Sequence, residues 1–182
     1  MKSIISEMPD RYKYYKGRAT VEIGYPWLSY GAIISMEQLL KPEHNVLEMG
    51  CGGSTIFFSR RCKSVRSYDL DERWVNKVKA ALPESSNVSF VCGGQEVLID
   101  ALRKEPDEFY DWILADIGGN YEIRFNTAIA SMPKLKKGMY FVVDNYNSPP
   151  LPLLDFTGWG VFRFDIIGHP EKGTMICVKP NL

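Results

Sequence analysis

The chain has 182 residues, 22 Lys and Arg against 22 Asp and Glu, and so no formal net charge. At 20.8 kDa with pI near 6.7, it is sized for one domain with one sizeable core. It lacks the basic excess that a partner held through its phosphates normally demands. A composition of 45% hydrophobic and 24% charged residues is that of an ordinary globular protein, neither disordered nor fibrous. The four cysteines, Cys51, Cys62, Cys92 and Cys177, form no CxxC pair, and His44 and His169 lie far apart. Zinc-ligand spacing is therefore absent, and scattered lone cysteines fit a reducing compartment. No apolar run reaches the roughly 18 residues of a membrane span, so the expectation is a cytoplasmic protein with no membrane partner.

Residues 1–27 are polar and aromatic, with Tyr12, Tyr14, Tyr15, Tyr25 and Trp27, and show neither alternation nor helical spacing. They are expected to form a lid or an interface, including a homodimer contact, ahead of one domain over 28–182. Lys13, Lys16 and Arg18 interleave with these tyrosines, but three charges do not outweigh the overall balance. Ala32, Ile33, Met36, Leu39 and Leu40 recur at helical spacing, and Pro42 should stop that helix. From there the chain alternates. Strands are predicted at Val46–Met49, Ser64–Tyr68, Val88–Val91, Trp112–Ala115 and Met139–Val143, the last after a turn at Lys136-Lys137-Gly138. Between them lie helices carrying Ile56, Phe57 and Phe58; Val75, Val78 and Leu82; Val97, Leu98, Ala101 and Leu102; and Phe125, Ala128, Ile129 and Met132. This order predicts an α/β fold with a parallel sheet. Phe162, Phe164 and Ile166 alternate with Arg163 and Asp165 as in an edge strand, while Met175–Val178 is continuously apolar. Only the six residues Gly168–Gly173 separate the two, too few for a parallel crossover. The sheet should end in an antiparallel hairpin whose last strand inserts inside the edge strand.

The segment Val46-Leu47-Glu48-Met49-Gly50-Cys51-Gly52-Gly53-Ser54-Thr55 places glycines where a strand meets a helix, so that backbone can approach a ligand closely. The bland alternative is a tight turn with no ligand. A dinucleotide fingerprint needs a third glycine where Thr55 stands, and Glu48 would repel a diphosphate but tolerate a ligand bearing an amino group. Asp69 closes the second strand 21 residues after Glu48, where an acid can accept both hydroxyls of a ribose. Asp71 reads better as a helix cap.

With L-E-M-G-C-G-G-S-T, V-R-S-Y-D-L-D, Y-D-W-I-L-A-D and the terminal hairpin, the sequence resembles the class I S-adenosylmethionine-dependent methyltransferases over roughly residues 28 to 180. The resemblance implies a Rossmann-like sandwich with helices on both faces of a seven-stranded sheet, in the order 3-2-1-4-5-7-6, with the last strand antiparallel. It implies S-adenosyl-L-methionine as cofactor. Glu48 would lie near the methionine ammonium, with Gly50 and Gly52 under the methionine and ribose. Asp69 would take the ribose hydroxyls, and Leu70 would pack on the adenine. Ser54 and Thr55 complete the turn. Gly93 and Gln95 stand where the family reaches the adenine amino group, without its usual acid. Asp116 ends the fourth strand beside the cofactor.

Asp116 and Asp144-Asn145 end neighbouring strands, where carboxylates can act as bases or as oxygen ligands. The resemblance to catechol and caffeoyl-coenzyme A O-methyltransferases would make Asp116, Asp144 and Asn145 ligands of Mg²⁺. That match is partial, because Asp116-Ile-Gly-Gly lacks D-A-D-K, and no metal site is assigned. A turn before Pro149-Pro150 is the plain alternative for Asp144 and Asn145. Asp116-Ile-Gly-Gly also lacks the [DN]-P-P-[YFW] of enzymes that methylate base amines. The expected acceptor is therefore a small molecule, not nucleic acid, methylated at oxygen, with Asp116 and Asp144 as candidate catalytic bases for the hydroxyl proton and His169 a remote third. The rival readings are a catalytically silent cofactor-binding scaffold subunit, an aminopropyltransferase, and an NAD-dependent enzyme.

Overall fold

The computed structural model describes residues 20–166 and 169–181, without the side chains of 166 and 169–172. Tyr12, Lys13, Tyr14, Tyr15, Lys16 and Arg18 of the expected lid lie outside the described residues. The strands are β1 Asn45–Met49, β2 Ser64–Asp69, β3 Val88–Cys92, β4 Tyr110–Ala115, β5 Leu135–Asp144, β6 Gly160–Ile166 and β7 His169–Val178. The helices are α1 Thr20–Ile23, α2 Tyr30–Leu39, α3 Gly53–Ser59, α4 Glu72–Ala80, α5 Gln95–Lys104 and α6 Tyr121–Ser131. One sheet runs β3-β2-β1-β4-β5-β7-β6. Its first five strands are parallel, and β7 is antiparallel to both β5 and β6.

Strand periodicity sorts the core into two layers. Leu47, Met49, Ile113, Ala115, Phe141, Val143 and Cys177 face one side, where Leu98 and Leu102 of α5 and Ala128 of α6 cover them. Val46, Trp112, Leu114, Val142 and Ile176 face the other, against Ala32, Ile33 and Met36 of α2 and Phe57 and Phe58 of α3. Burying each large apolar side chain contributes about 1.5–3 kcal/mol. The helices begin where local chemistry stops the strand. Asp71 caps α4 by accepting from the Arg73 N–H, and Asn120 caps α6 by accepting from the Ile123 N–H at 2.9 Å. Val97 and Ile129 depart from their expected inward positions, at 54% and 48% exposed. The i, i+4 pair Leu98 and Leu102 suffices to seat α5.

Two strand boundaries correct the sequence reading. Lys136-Lys137-Gly138 is not a turn before β5 but part of it. Leu135 pairs with Tyr110 and Tyr140 with Trp112, so β5 absorbs the extra residues as an irregularity at which Gly138 takes φ +72°. Likewise β7 begins at His169, not Met175. Its pairing with β5 covers only Thr174–Val178. The earlier residues pair with β6 alone, and a strand with a neighbour on one side has no need of continuous apolarity.

Candidate functional site

The chain reverses direction across the sheet between β1 and β4, and the C-terminal ends of these strands open a crevice, the usual ligand position in such sheets. Here lies a cavity of about 230 Å³, lined by Thr20, Trp27, Gly50, Cys51, Gly52, Gly53, Ser54, Asp69, Trp74, Asp116 and Gly118. Five of the residues expected at the cofactor (Gly50, Gly52, Ser54, Asp69 and Asp116) therefore share one wall.

The three glycines of the turn serve different neighbours. Gly50 has φ +100°, and a Cβ there would meet the Asp116 carbonyl oxygen at 2.5 Å and Ile117 Cα at 2.9 Å. A Cβ on Gly53 would run into the carbonyl oxygens of Tyr25 and Thr20. Gly52 is otherwise: the nearest described atom to its Cβ position is Thr20 Oγ1 at 3.5 Å, so nothing among the described residues requires glycine there. The space above Gly52 belongs to the cavity.

Glu48 is fully buried beneath the turn. Its Oε2 accepts from Thr55 Oγ1 at 2.6 Å and from Ser67 Oγ at 2.7 Å. Thr55 Oγ1 in turn accepts from the Gly52 N–H at 2.8 Å, so the carboxylate fixes the turn from below. Oε1 of Glu48 has no hydrogen-bond partner among the described residues. Burial pushes the carboxyl up to about 7, against the pull of the hydroxyls of Ser54, Thr55 and Ser67. Asp69 accepts from the Cys51 N–H through Oδ2 at 2.8 Å and from the Asp71 N–H through Oδ1 at 2.9 Å, which fixes its carboxylate in the cavity wall. The Trp74 indole N–H donates to the Cys51 carbonyl and closes that side.

The remaining expected residues sit farther out. Leu70 borders the following loop, with its Cδ1 3.2 Å from the Cβ position of Gly119. Gly93 continues the sheet by donating to the Asp69 carbonyl at 3.2 Å, and Gln95 opens α5. Neither Leu70, Gly93 nor Gln95 lines the cavity. His169 opens β7, with its side chain outside the description.

The acceptor side holds the main departure from expectation. Ala115 pairs with Val143, so Asp116 and Asp144 leave adjacent strands together. Between them lies Arg124 of α6, a residue the sequence reading missed. Its Nη2 meets Asp116 Oδ1 at 2.9 Å, and its Nη1 meets the Asp144 carbonyl at 2.9 Å, Asn145 Oδ1 at 3.1 Å and Asp144 Oδ2 at 3.7 Å. Nε and Nη2 also donate to the Ile117 carbonyl, at 3.2 and 3.1 Å. Thr174 Oγ1 donates to Asp144 Oδ1 at 2.9 Å and accepts from the Ser29 N–H at 2.9 Å. Burial raises the Asp116 and Asp144 carboxyls, Asp116 to about 6, while Asp116 adds to the rise of Asp144 and Arg124 pulls both down. The two carboxyls therefore titrate as a pair and not as separate aspartates. Of the residues suggested as magnesium ligands, Asp116 Oδ1 and Asn145 Oδ1 are thus bound to a guanidinium and Asp144 Oδ1 to Thr174, with a fixed positive charge among them, and the set does not fit a divalent ion. Arg124 was detectable in principle: with Thr127, Ala128 and Ser131 it lies on the buried face of α6, and a charge on such a face must be paired.

This sheet order with its antiparallel seventh strand is the fold of the class I methyltransferases. Among solved structures, an rRNA methylase from Streptococcus thermophilus superposes with TM-score 0.65 at 16% identity, over 86% of this chain and all (100%) of that one. A protein from Staphylococcus aureus assigned as a caffeoyl-CoA O-methyltransferase gives 0.63 at 16% identity, over 96% of this chain and 99% of that one. The N-methyltransferase NodS from Bradyrhizobium japonicum, in complex with S-adenosyl-L-homocysteine, gives 0.57 at 12% identity, over 82% and 83%. At these identities the likeness is one of fold. No protein-family model matches the chain, and no curated protein matches it in sequence. Among the described residues no helix is long and apolar enough to cross a membrane.

Proposed function

We propose that this protein is an S-adenosylmethionine-dependent methyltransferase acting on a small-molecule acceptor at oxygen. The observation that carries the cofactor reading is the wall at the switch point: Gly52 is open toward the cavity, Asp69 lines it, and Glu48 fixes the turn from below. That combination suits a ligand with a ribose diol and an ammonium group. When bound, S-adenosylmethionine supplies an electrophilic methyl group on a sulfonium.

The chain's residues would then bind, orient and move one proton. The Gly50–Gly53 turn, fixed from below by Glu48, holds the amino-acid end, and Asp69 accepts from the ribose hydroxyls. Asp116, 24% exposed in the cavity wall, takes the acceptor's hydroxyl proton as the new C–O bond forms and the C–S bond breaks, its electron pair staying on sulfur. The choice of a small acceptor rests on the neutral charge and on Asp116-Ile-Gly-Gly. The fold by itself is neutral on this point, since its neighbours include an rRNA methylase and an N-methyltransferase. Exposed Trp27 at the cavity, 63% accessible, offers an apolar surface to that acceptor.

Calorimetric titration tests the reading. S-adenosylhomocysteine should bind at one site and NAD should not. Asp69→Ala should weaken the adenosyl ligand at least about tenfold, the worth of about one charged hydrogen bond. Absence of heat with both S-adenosylmethionine and S-adenosylhomocysteine would refute it.

A further inference from the structure

We infer that Arg124 is the resident cation of the acceptor side, a positioning residue that fills the place of a divalent metal and holds Asp116 toward the cavity. Every donor nitrogen of its guanidinium is engaged within the same small region: Nε on Ile117, Nη2 on Ile117 and Asp116, Nη1 on Asp144 and Asn145. The residue is 7% exposed, so this is a built element of the site and not a surface arm. A guanidinium keeps its charge at every accessible pH, and its planar fork suits two carboxylates on adjacent strands. A hard divalent cation needs six or more oxygen ligands at close range. Here it would find Asp116 Oδ1 and Asn145 Oδ1 already taken and a fixed positive charge beside it.

Two backbone features hold the guanidinium in place. Asn120 caps the first turn of α6 and sets the helix that carries Arg124. Asn145, at φ +52°, turns the chain directly after β5, and the Ser148 N–H donates to its carbonyl at 2.9 Å. The loop after Asp116 is pinned as well, because Arg124 holds the Ile117 carbonyl. One side chain therefore ties the ends of β4 and β5 to α6.

This inference takes its catalytic meaning from the methyl-transfer reading, but its test does not depend on it. Wild type, Arg124→Lys and Arg124→Ala are each titrated with Mn²⁺, following free ion by electron paramagnetic resonance and the melting temperature in parallel. A separate S-adenosylhomocysteine titration scores the cofactor site. Wild type and Arg124→Lys should show no saturable Mn²⁺ binding at 1 mM, a concentration on the order of weak oxygen-donor sites. Arg124→Ala, with the oxygens of Asp116, Ile117, Asp144 and Asn145 released, should bind about one equivalent at least tenfold more tightly, a gain worth about 1.4 kcal/mol. Arg124→Gln serves the same arm should the alanine variant not fold by circular dichroism. The inference is overturned if wild type binds one equivalent that Asp116→Asn abolishes, if the folded Arg124 variants gain nothing, or if lysine behaves as alanine. Loss of S-adenosylhomocysteine binding with the Mn²⁺ pattern intact would count against the proposed function alone.

Discussion

Gly50 and Gly52 stand two residues apart in one turn, and the same substitution at each should damage different properties. At Gly50, alanine places a Cβ 2.5 Å from the Asp116 carbonyl oxygen and 2.7 Å from its carbon, both backbone atoms of the adjacent strand end, at φ +100°. A left-handed non-glycine residue costs about 1–3 kcal/mol and overpacking adds roughly 1–3 more, so Gly50→Ala should lose about 2–6 kcal/mol. For a domain of this size that corresponds to a fall in Tm of roughly 5–20 °C. At Gly52, φ is 169°, extended backbone, and the nearest atom to a Cβ is at 3.5 Å, an ordinary contact. Gly52→Ala should remain within about 1 kcal/mol of wild type, while the added methyl occupies the cavity and weakens S-adenosylhomocysteine by about tenfold or more, some 1.4 kcal/mol. Differential scanning calorimetry measures the first quantity and isothermal titration the second. If Gly52→Ala melts as early as Gly50→Ala, or binds the ligand as tightly as wild type, the assignment of that space to a ligand fails.

Two pH dependences follow from buried groups with opposite signs. The folded-state pKa of Glu48 is raised to about 7, so its contribution is full at low pH and is lost as pH rises through about 7. Glu48→Gln should therefore gain on wild type in ligand-free melts between pH 5 and 8.5, by on the order of 3 kcal/mol; parallel curves for the two proteins would contradict the burial argument. His44 behaves in the reverse sense. Its Nδ1 accepts from the Trp112 indole N–H at 3.1 Å and from the Lys41 N–H at 3.2 Å, and burial lowers its pKa from 6.5. Its contribution is present above the unfolded value and is lost as pH falls below it, so the urea midpoint of wild type should lose ground relative to that of His44→Asn between pH 7.5 and 5, and a constant difference would contradict the argument.

These sites differ in how visible they were beforehand. His44 gives no motif, since its partner Trp112 is 68 residues away, and only strand packing brings the two together. Asp71 was legible as a cap because capping is a local event, completed within two residues. The β5 and β7 boundaries were misplaced because hydrophobicity reports burial and not pairing. Lys136–Gly138 extend β5 although its ladder with β4 skips them, and the first residues of β7 lie beyond its pairing with β5, so neither stretch is continuously apolar.

Local chemistry written in the sequence determined the element order, the two buried layers and the glycine turn between β1 and α3. Alternation, caps and glycines act over a few residues, and the 21-residue spacing from Glu48 to Asp69 spans one strand-helix-strand unit. Tertiary structure decided what each part is for. Only the register of β4 on β5 joins Asp116 to Asp144, and only the seating of α6 sets Arg124 between them. A buried charge takes its role from what surrounds it, and those surroundings come from three separate elements. The same separation distinguishes Gly50 from Gly52: in sequence they are equivalent, and in the fold one touches a neighbouring strand while the other faces an open cavity.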